Sequence, residues 1–299
     1  MKRTRWKQSF EIFLPGCLLL GWVVPVLAID LQPGDGTPPK PATRILHLSQ
    51  QFSERDGFYK NGIKQADSGY RVVNSLLRVG YAFELAKQPA FVYGQLPVGY
   101  VHPGGTLAGI KGDSGVGDLA LALAYWPYAN RETETYLGLA AYLIAPTGSY
   151  RPERAFNMGE NRWSSALQVG LQKSFSRQVL AMVALDSVWF GDNEAHGAAH
   201  ARLEKKALTT GQVALRYSFL SKDSAPKYHL GVSYFDSFGG ATQVNGIERA
   251  DRTDLQRYLI SGTADTAFGR FVLQYGGDLA TENGFKETER WTVRYLRMF

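Results

Sequence analysis

An antiparallel transmembrane β-barrel of about 12 strands, preceded by a cleaved signal peptide, is the fold class that this sequence of 299 residues predicts. Three observations carry it. The chain opens with a secretory leader, the rest alternates polar and apolar residues with period two, and the intervals between alternating segments are by turns long and short.

The leader comes first. Lys2, Arg3, Arg5 and Lys7 form a basic start, followed by the apolar run from Ile12 to Ala28, with the small-residue site Val26-Leu27-Ala28 at its end. Cleavage is expected after Ala28, because Pro25 and Ala28 suit a processing site better than a membrane span. Against Glu11, the four cations account for +3 of the net charge of +6, so the remaining chain carries only +3 and offers no basic stripe for nucleic acid. Cys17 is the only cysteine and lies in the leader. Leu14-Pro15-Gly16-Cys17 resembles a lipoprotein site only faintly, since most of the apolar run follows the cysteine. The mature chain therefore needs no disulfide. Residues 29–43, rich in Pro, Gly and Asp, read as an extended periplasmic lead-in rather than packed structure.

The barrel is expected over 44–299. No later stretch holds 18 consecutive apolar residues, which excludes a transmembrane helix. Period-two segments place strands near 44–53, 70–84, 88–101, 116–128, 132–146, 161–175, 178–192, 207–221, 227–238, 252–264, 268–280 and 286–299. In the sixth, Trp163, Leu167, Val169 and Leu171 oppose Ser164, Gln168, Gly170 and Gln172; in the eighth, Val213, Leu215, Tyr217 and Phe219 oppose Gln212, Arg216 and Ser218. Intervals after odd strands are mostly long (54–69, 102–115, 147–160, 193–206 and 239–251, with a shorter 281–285), and those after even strands are short. A soluble sandwich has no reason to sort its loops so; an outer-membrane barrel does, with short periplasmic turns and long extracellular loops. An even strand number puts both termini in the periplasm, and the absence of solvent in lipid requires the last strand to close on the first.

Magnitudes decide the phase of "DLQRYLISG". An Arg facing lipid at mid-depth costs about 2–4 kcal/mol, so Tyr258 and Ile260 are assigned outward and Arg257 inward. Arg297 sits near the rim, where the cost falls to about 0–1 kcal/mol and the side chain can snorkel.

Three motifs stand out: Gly115-Val116-Gly117-Asp118 opening a strand, Ala145-Pro146-Thr147-Gly148 closing the next, and Asn157-Met158-Gly159-Glu160-Asn161-Arg162-Trp163 opening the one after. Pro146 removes a ladder donor and Gly148 turns the chain, so a strand terminator is their plain physical reading, and Asp118 is either a lumen-facing charge or a polar residue near the strand start, with the structural role favoured. Taken in order, the motifs resemble the transporter-like outer-membrane family of the MetA pathway of phenol degradation. The resemblance is clearest over residues 70–175 and looser beyond. It implies a channel for small hydrophobic or aromatic molecules.

Inward positions are inferred for Gln168, Gln172, Asp186, Gln212, Arg216, Arg257, Gln274, Asp278 and Arg294. They are either polar packing of a lumen or the lining of a conduit. Twelve strands enclose less space than the 16 to 18 of porins, so narrow, gated or plugged passage is expected, with 29–43 or an infolded loop as the plug. Within "EAHGAAHARLE", His196, His200 and Glu204 would share a face of a helix and suit zinc, but a solvated loop helix is the favoured reading, and no metal or other cofactor is assigned.

An outer-membrane lipid hydrolase is the enzymatic alternative, since outer-membrane phospholipase A also has twelve strands. Acyl transfer would need a Ser with an oriented His base. His47-Leu48-Ser49 is the nearby pair, but it lacks that enzyme's His-x-Ser-Asn-Gly pattern, and "GGTLAGIKGDSG" is no phosphate loop. The sequence thus reads as a non-enzymatic passive channel, with a closed structural or surface-binding barrel as the other alternative. Its expected partners are outer-membrane lipid, a small apolar solute and the barrel assembly machinery, for which the terminal Phe299 of the closing strand resembles the recognition signal.

Overall fold

The computed structural model describes residues 22–23, 29–220 and 227–299. The leader and its cleavage site lie outside the described residues, apart from Trp22–Val23, which runs parallel to Phe156–Asn157. Twelve long strands form one closed antiparallel sheet: β1 (Arg44–Lys60), β2 (Ile63–Leu85), β3 (Gln88–Gly105), β4 (Leu119–Asn130), β5 (Thr135–Ala145), β6 (Ser164–Ser174), β7 (Val179–Phe190), β8 (Leu208–Phe219), β9 (Tyr228–Gly239), β10 (Thr253–Thr266), β11 (Gly269–Thr281) and β12 (Gly284–Met298). Each pairs with its chain neighbours. Closure is made by β12 on β1, from Met298 opposite Ile45 through Trp291 opposite Phe52. Phe299 N donates to Arg44 O at 2.9 Å, so the end of the chain is stitched to the start of the barrel.

Alternation explains which face each residue takes. Leu121, Leu167, Leu185, Leu215, Leu273 and Val293 stand exposed on the outside, while Ala122, Gln168, Asp186, Arg257, Gln274 and Thr292 are buried within. Exposed rings gather at the short-turn end (Phe175, Phe219, Tyr228, Phe268 and Phe299), and Trp163, Trp189 and Phe238 mark the other end. An apolar outer face of this extent, edged by aromatic girdles, belongs in a bilayer. No described helix is long and apolar enough to cross a membrane; the crossing elements are strands.

Local irregularities have local causes. β3 pairs with β4 only over Ala90–Gln95; beyond it, Pro97 has no N–H to give, and the short strand Asp113–Val116 takes over the pairing with Val98–Val101. Residues 54–69, expected as a loop, instead continue β1 and β2 to a two-residue turn. Asn61 (φ 50°) and Gly62 (φ 72°) supply the left-handed pair that a tight hairpin demands. "EAHGAAHARLE" is likewise a hairpin and not a helix: Asn193–His196 pairs with Ala201–Lys205 across a turn in which Gly197 (φ 69°) and His200 (φ 49°) are left-handed. Both join Thr242–Val244 and Ile247–Glu248 in a small sheet beyond the long-loop end.

Candidate functional site

The interior of the barrel is crossed by residues 29–39, and this revises the reading of that segment as unpacked. Side chains of the wall bond much of its backbone, alongside two turns of its own, Asp35 N to Gln32 O at 2.9 Å and Thr37 N to Gly34 O at 3.2 Å. Gln172 Oε1 accepts from Gly34 N and Gly36 N, both at 3.1 Å, and its Nε2 donates to Thr37 Oγ1 at 2.8 Å. Gln212 brackets Leu31, donating to its O at 2.6 Å and accepting from its N at 3.2 Å. Gln168 donates to Ile29 O at 3.0 Å and accepts from the Tyr142 hydroxyl at 2.9 Å. Trp126 Nε1 donates to Gly36 O at 2.8 Å. A Pro- and Gly-rich strap cannot join a β-ladder along its length, so amide side chains take the place of a neighbouring strand. Gly36 is needed for close approach, because a Cβ there would meet Gln172 Cβ at 2.8 Å.

A charged clamp holds the start of the strap. Asp30 receives both Nη atoms of Arg257 at 2.8 Å and Arg290 Nη1 at 3.4 Å, and Arg257 also lies 4.3 Å over the Phe235 ring. Next to it, Glu287 pairs with Arg290 at 2.8 Å and Arg55 at 3.7 Å, while Asp278 accepts from Glu287 N at 2.6 Å. The strap divides the lumen into two chambers. The smaller, about 190 Å³, has the strap and a wall of Phe91, Tyr93, Trp126 and Tyr142. The larger, about 310 Å³, is lined by polar and paired charged groups, among them Asp186, Arg257, Gln274 and Asp278. His47, Arg78 and Arg294 border both, at the boundary between them.

All nine residues assigned inward therefore sit within the barrel wall, in different surroundings. Gln168, Gln172, Gln212 and Arg257 hold the strap; Asp186, Gln274 and Asp278 border the larger chamber; Arg216 borders the smaller; Arg294 borders both. The aromatic wall and Arg78 escaped the sequence reading. Period two places Phe91, Tyr93 and Trp126 on the inner face, yet large rings ordinarily argue for the lipid side.

The motif residues build a scaffold at the long-loop end. Asp118 accepts from Gly148 N and Glu160 N, each at 2.8 Å, so one carboxylate ties three chain segments together. Pro146 follows directly on the end of β5, and Thr147 Oγ1 accepts from Leu119 N at 2.9 Å. Gly148 and Gly159 touch backbone to backbone, a Cβ on Gly148 falling 2.7 Å from Gly159 Cα. Gly117 N donates to Pro97 O at 2.8 Å; Gly115 is left-handed at φ 149°. Asn157 accepts from Arg151 N at 2.7 Å, Asn161 donates to Asn193 at 2.9 Å, and Trp163 O accepts from Gly191 N at 2.8 Å. Phe156 and Met158 are carried inward by this loop, Phe156 stacking 5.1 Å from Tyr70. Burial works against the Glu160 charge, but Arg162, bound at 2.6 Å, and Lys205 hold its carboxyl below the ordinary value.

His196, His200 and Glu204 do not converge, and among the described residues no cluster of His, Cys, Asp or Glu has metal-binding geometry. Glu204 pairs with Arg202 at 3.2 Å. His47 and Ser49 both border the larger chamber, with no hydrogen bond joining them among the described residues.

A closed twelve-stranded sheet with an apolar outside, ringed ends and a strapped lumen defines an outer-membrane β-barrel. The chain belongs to the family described as "Putative MetA-pathway of phenol degradation", whose model matches residues 54–295. It is similar to the crystal structure of the COG4313 outer membrane channel from Pseudomonas putida F1, with 31% identity and a TM-score of 0.85 over 90% of this chain and 100% of that one. The β domain of the Bordetella autotransporter BrkA shares the fold alone, at 14% identity and TM-score 0.54 over 86% of this chain and 100% of that one. No curated protein matches the chain.

Proposed function

We propose that the protein is a passive, non-enzymatic outer-membrane channel for small aromatic compounds, with the strap at 29–39 as its constriction. The observation that carries this reading is the aromatic-walled chamber meeting the larger polar chamber across one strap inside a closed barrel. Passage requires no bond-making. A ring leaving water gains contact with Phe91, Tyr93 and Trp126, while the polar chamber keeps the route wet. The family and the channel from Pseudomonas putida F1 support the same reading.

In this reading a signal peptide of residues 1–28 is removed, the short turns and both mature termini face the periplasm, and lipid contacts the apolar belt. Phe299 is the residue read by the barrel assembly machinery. The test is influx of labelled phenol into proteoliposomes without an energy source. Flux above that of empty vesicles is expected. If neither the wild type nor a variant with a loosened strap admits phenol, the closed structural barrel takes its place; ester hydrolysis lost in Ser49→Ala would favour the hydrolase.

A further inference from the structure

We propose that the smaller chamber is a binding site for a single-ring aromatic monoanion of the benzoate class, with Arg294 and Arg216 as its carboxylate partners. The inference rests on the channel reading and names the charge of the solute. Its first support is the distribution of charge inside the barrel. Around the larger chamber Arg257 and Arg290 are matched by Asp30, and Arg55 and Arg290 by Glu287, while Lys205 lies 4.2 Å over the Phe190 ring without an ion pair among the described residues. At the edge of the smaller chamber Arg270 is matched by Asp265 at 2.6 Å. Arg216 and Arg294, by contrast, have neither a hydrogen bond nor an ion pair among the described residues; the Nε of each is removed from solvent without a partner, as are those of the ion-paired Arg55 and Arg290. Arg78 donates through Nε and Nη2 to the neutral Gln95, at 3.1 and 2.8 Å, and lies 4.4 Å over the Tyr93 ring. Asp35 is the one carboxylate in the lining; it accepts from Gln32 N at 2.9 Å, and its charge acts on Arg216 and Arg294 without forming an ion pair with either. The outer nitrogens of both guanidinium groups are left without a protein partner among the described residues, and a carboxylate is the partner whose geometry fits their fork.

The second support is shape. The same lining holds the aromatic wall of Phe91, Tyr93, Trp126 and Tyr142, which a chloride or acetate ion would leave unused. A volume of about 190 Å³ exceeds the ~150 Å³ cavity known to admit benzene, so one ring fits and a long acyl chain does not. Because Arg294 also borders the larger chamber, a carboxylate held there stands at the boundary between the two.

Equilibrium binding of labelled benzoate to the purified full chain in detergent, paired with proteoliposome flux of benzoate and of neutral benzyl alcohol, tests the inference. Saturable benzoate binding is expected, weakened at least about tenfold in Arg294→Gln and in Arg216→Gln and partly restored in the matching Lys variants. Heat-modifiable migration confirms that each variant is folded. Benzoate binding that is absent, or equal in wild type and Gln variants, overturns the site; acetate competing as well as benzoate overturns its aromatic half. Benzyl alcohol crossing while benzoate fails to bind removes this inference alone. Benzyl alcohol failing to cross while benzoate binds removes the channel reading and leaves the site.

Discussion

Replacing Gln172 with alanine should loosen the strap without disturbing the barrel wall. The side chain supplies three hydrogen bonds to the strap, two to glycine amides at 3.1 Å and one to Thr37 at 2.8 Å, from a position that is 1% exposed. At about 1 kcal/mol net for each, the loss is about 3 kcal/mol, which raises the population of a detached strap about a hundredfold. The remaining ties, through Gln212, Gln168, Trp126 and Asp30, keep the attached form dominant. Hydrogen exchange reads the change directly, because Gly34 N and Gly36 N lose their acceptor. Their exchange should accelerate about a hundredfold while amides of β6 stay protected. In planar bilayers, brief high-conductance openings should become more frequent. Unchanged exchange at Gly34 and Gly36, with an unchanged conductance record, would refute the account of how the strap is held.

Four further outcomes follow from the same contacts. Asp30→Asn leaves Arg257 and Arg290 underpaired in the lumen and should destabilise by about 3–5 kcal/mol, seen as a lower temperature for loss of the folded gel band. Asp118→Ala strands the amides of Gly148 and Glu160, at about 1–3 kcal/mol each, so limited proteolysis within 146–163 should quicken while the barrel resists. Glu160 has a depressed pKa in the folded protein, so its contribution is present above about pH 4.3 and is lost as pH falls through the folded value; the same proteolysis should quicken in acid, and less so in Glu160→Gln. Deleting Phe299 removes two backbone hydrogen bonds with Arg44 as well as the terminal ring, and should lower the yield of assembled barrel more than Met298→Ala does.

The wall of this barrel was legible because its physics is periodic. Leu167, Val169 and Leu171 against Gln168 and Gln172 leave one workable phase once one side is lipid, and the cost of an outward Arg257 settles a strand that hydropathy leaves open. The strap was not legible in detail. Its partners lie far away in sequence, at 90 residues between Gly36 and Trp126, 136 between Gly36 and Gln172 and 181 between Leu31 and Gln212, and a Pro- and Gly-rich composition says only that the segment forms no regular element. The extended hairpin at 54–69 was missed for another reason. Its Asn61-Gly62 turn signal was present, but long loops are the rule at that end of such barrels, and the rule outweighed the local chemistry. Asp118 was read as structural from its place at a strand start, although its acceptance of two distant amides required the fold.

Passage itself remains the most direct measurement. Proteoliposomes carrying the full mature chain, given labelled phenol and no energy source, should equilibrate faster than empty vesicles, and Gln172→Ala should equilibrate faster still. Identical rates for empty vesicles, wild type and Gln172→Ala would contradict the channel.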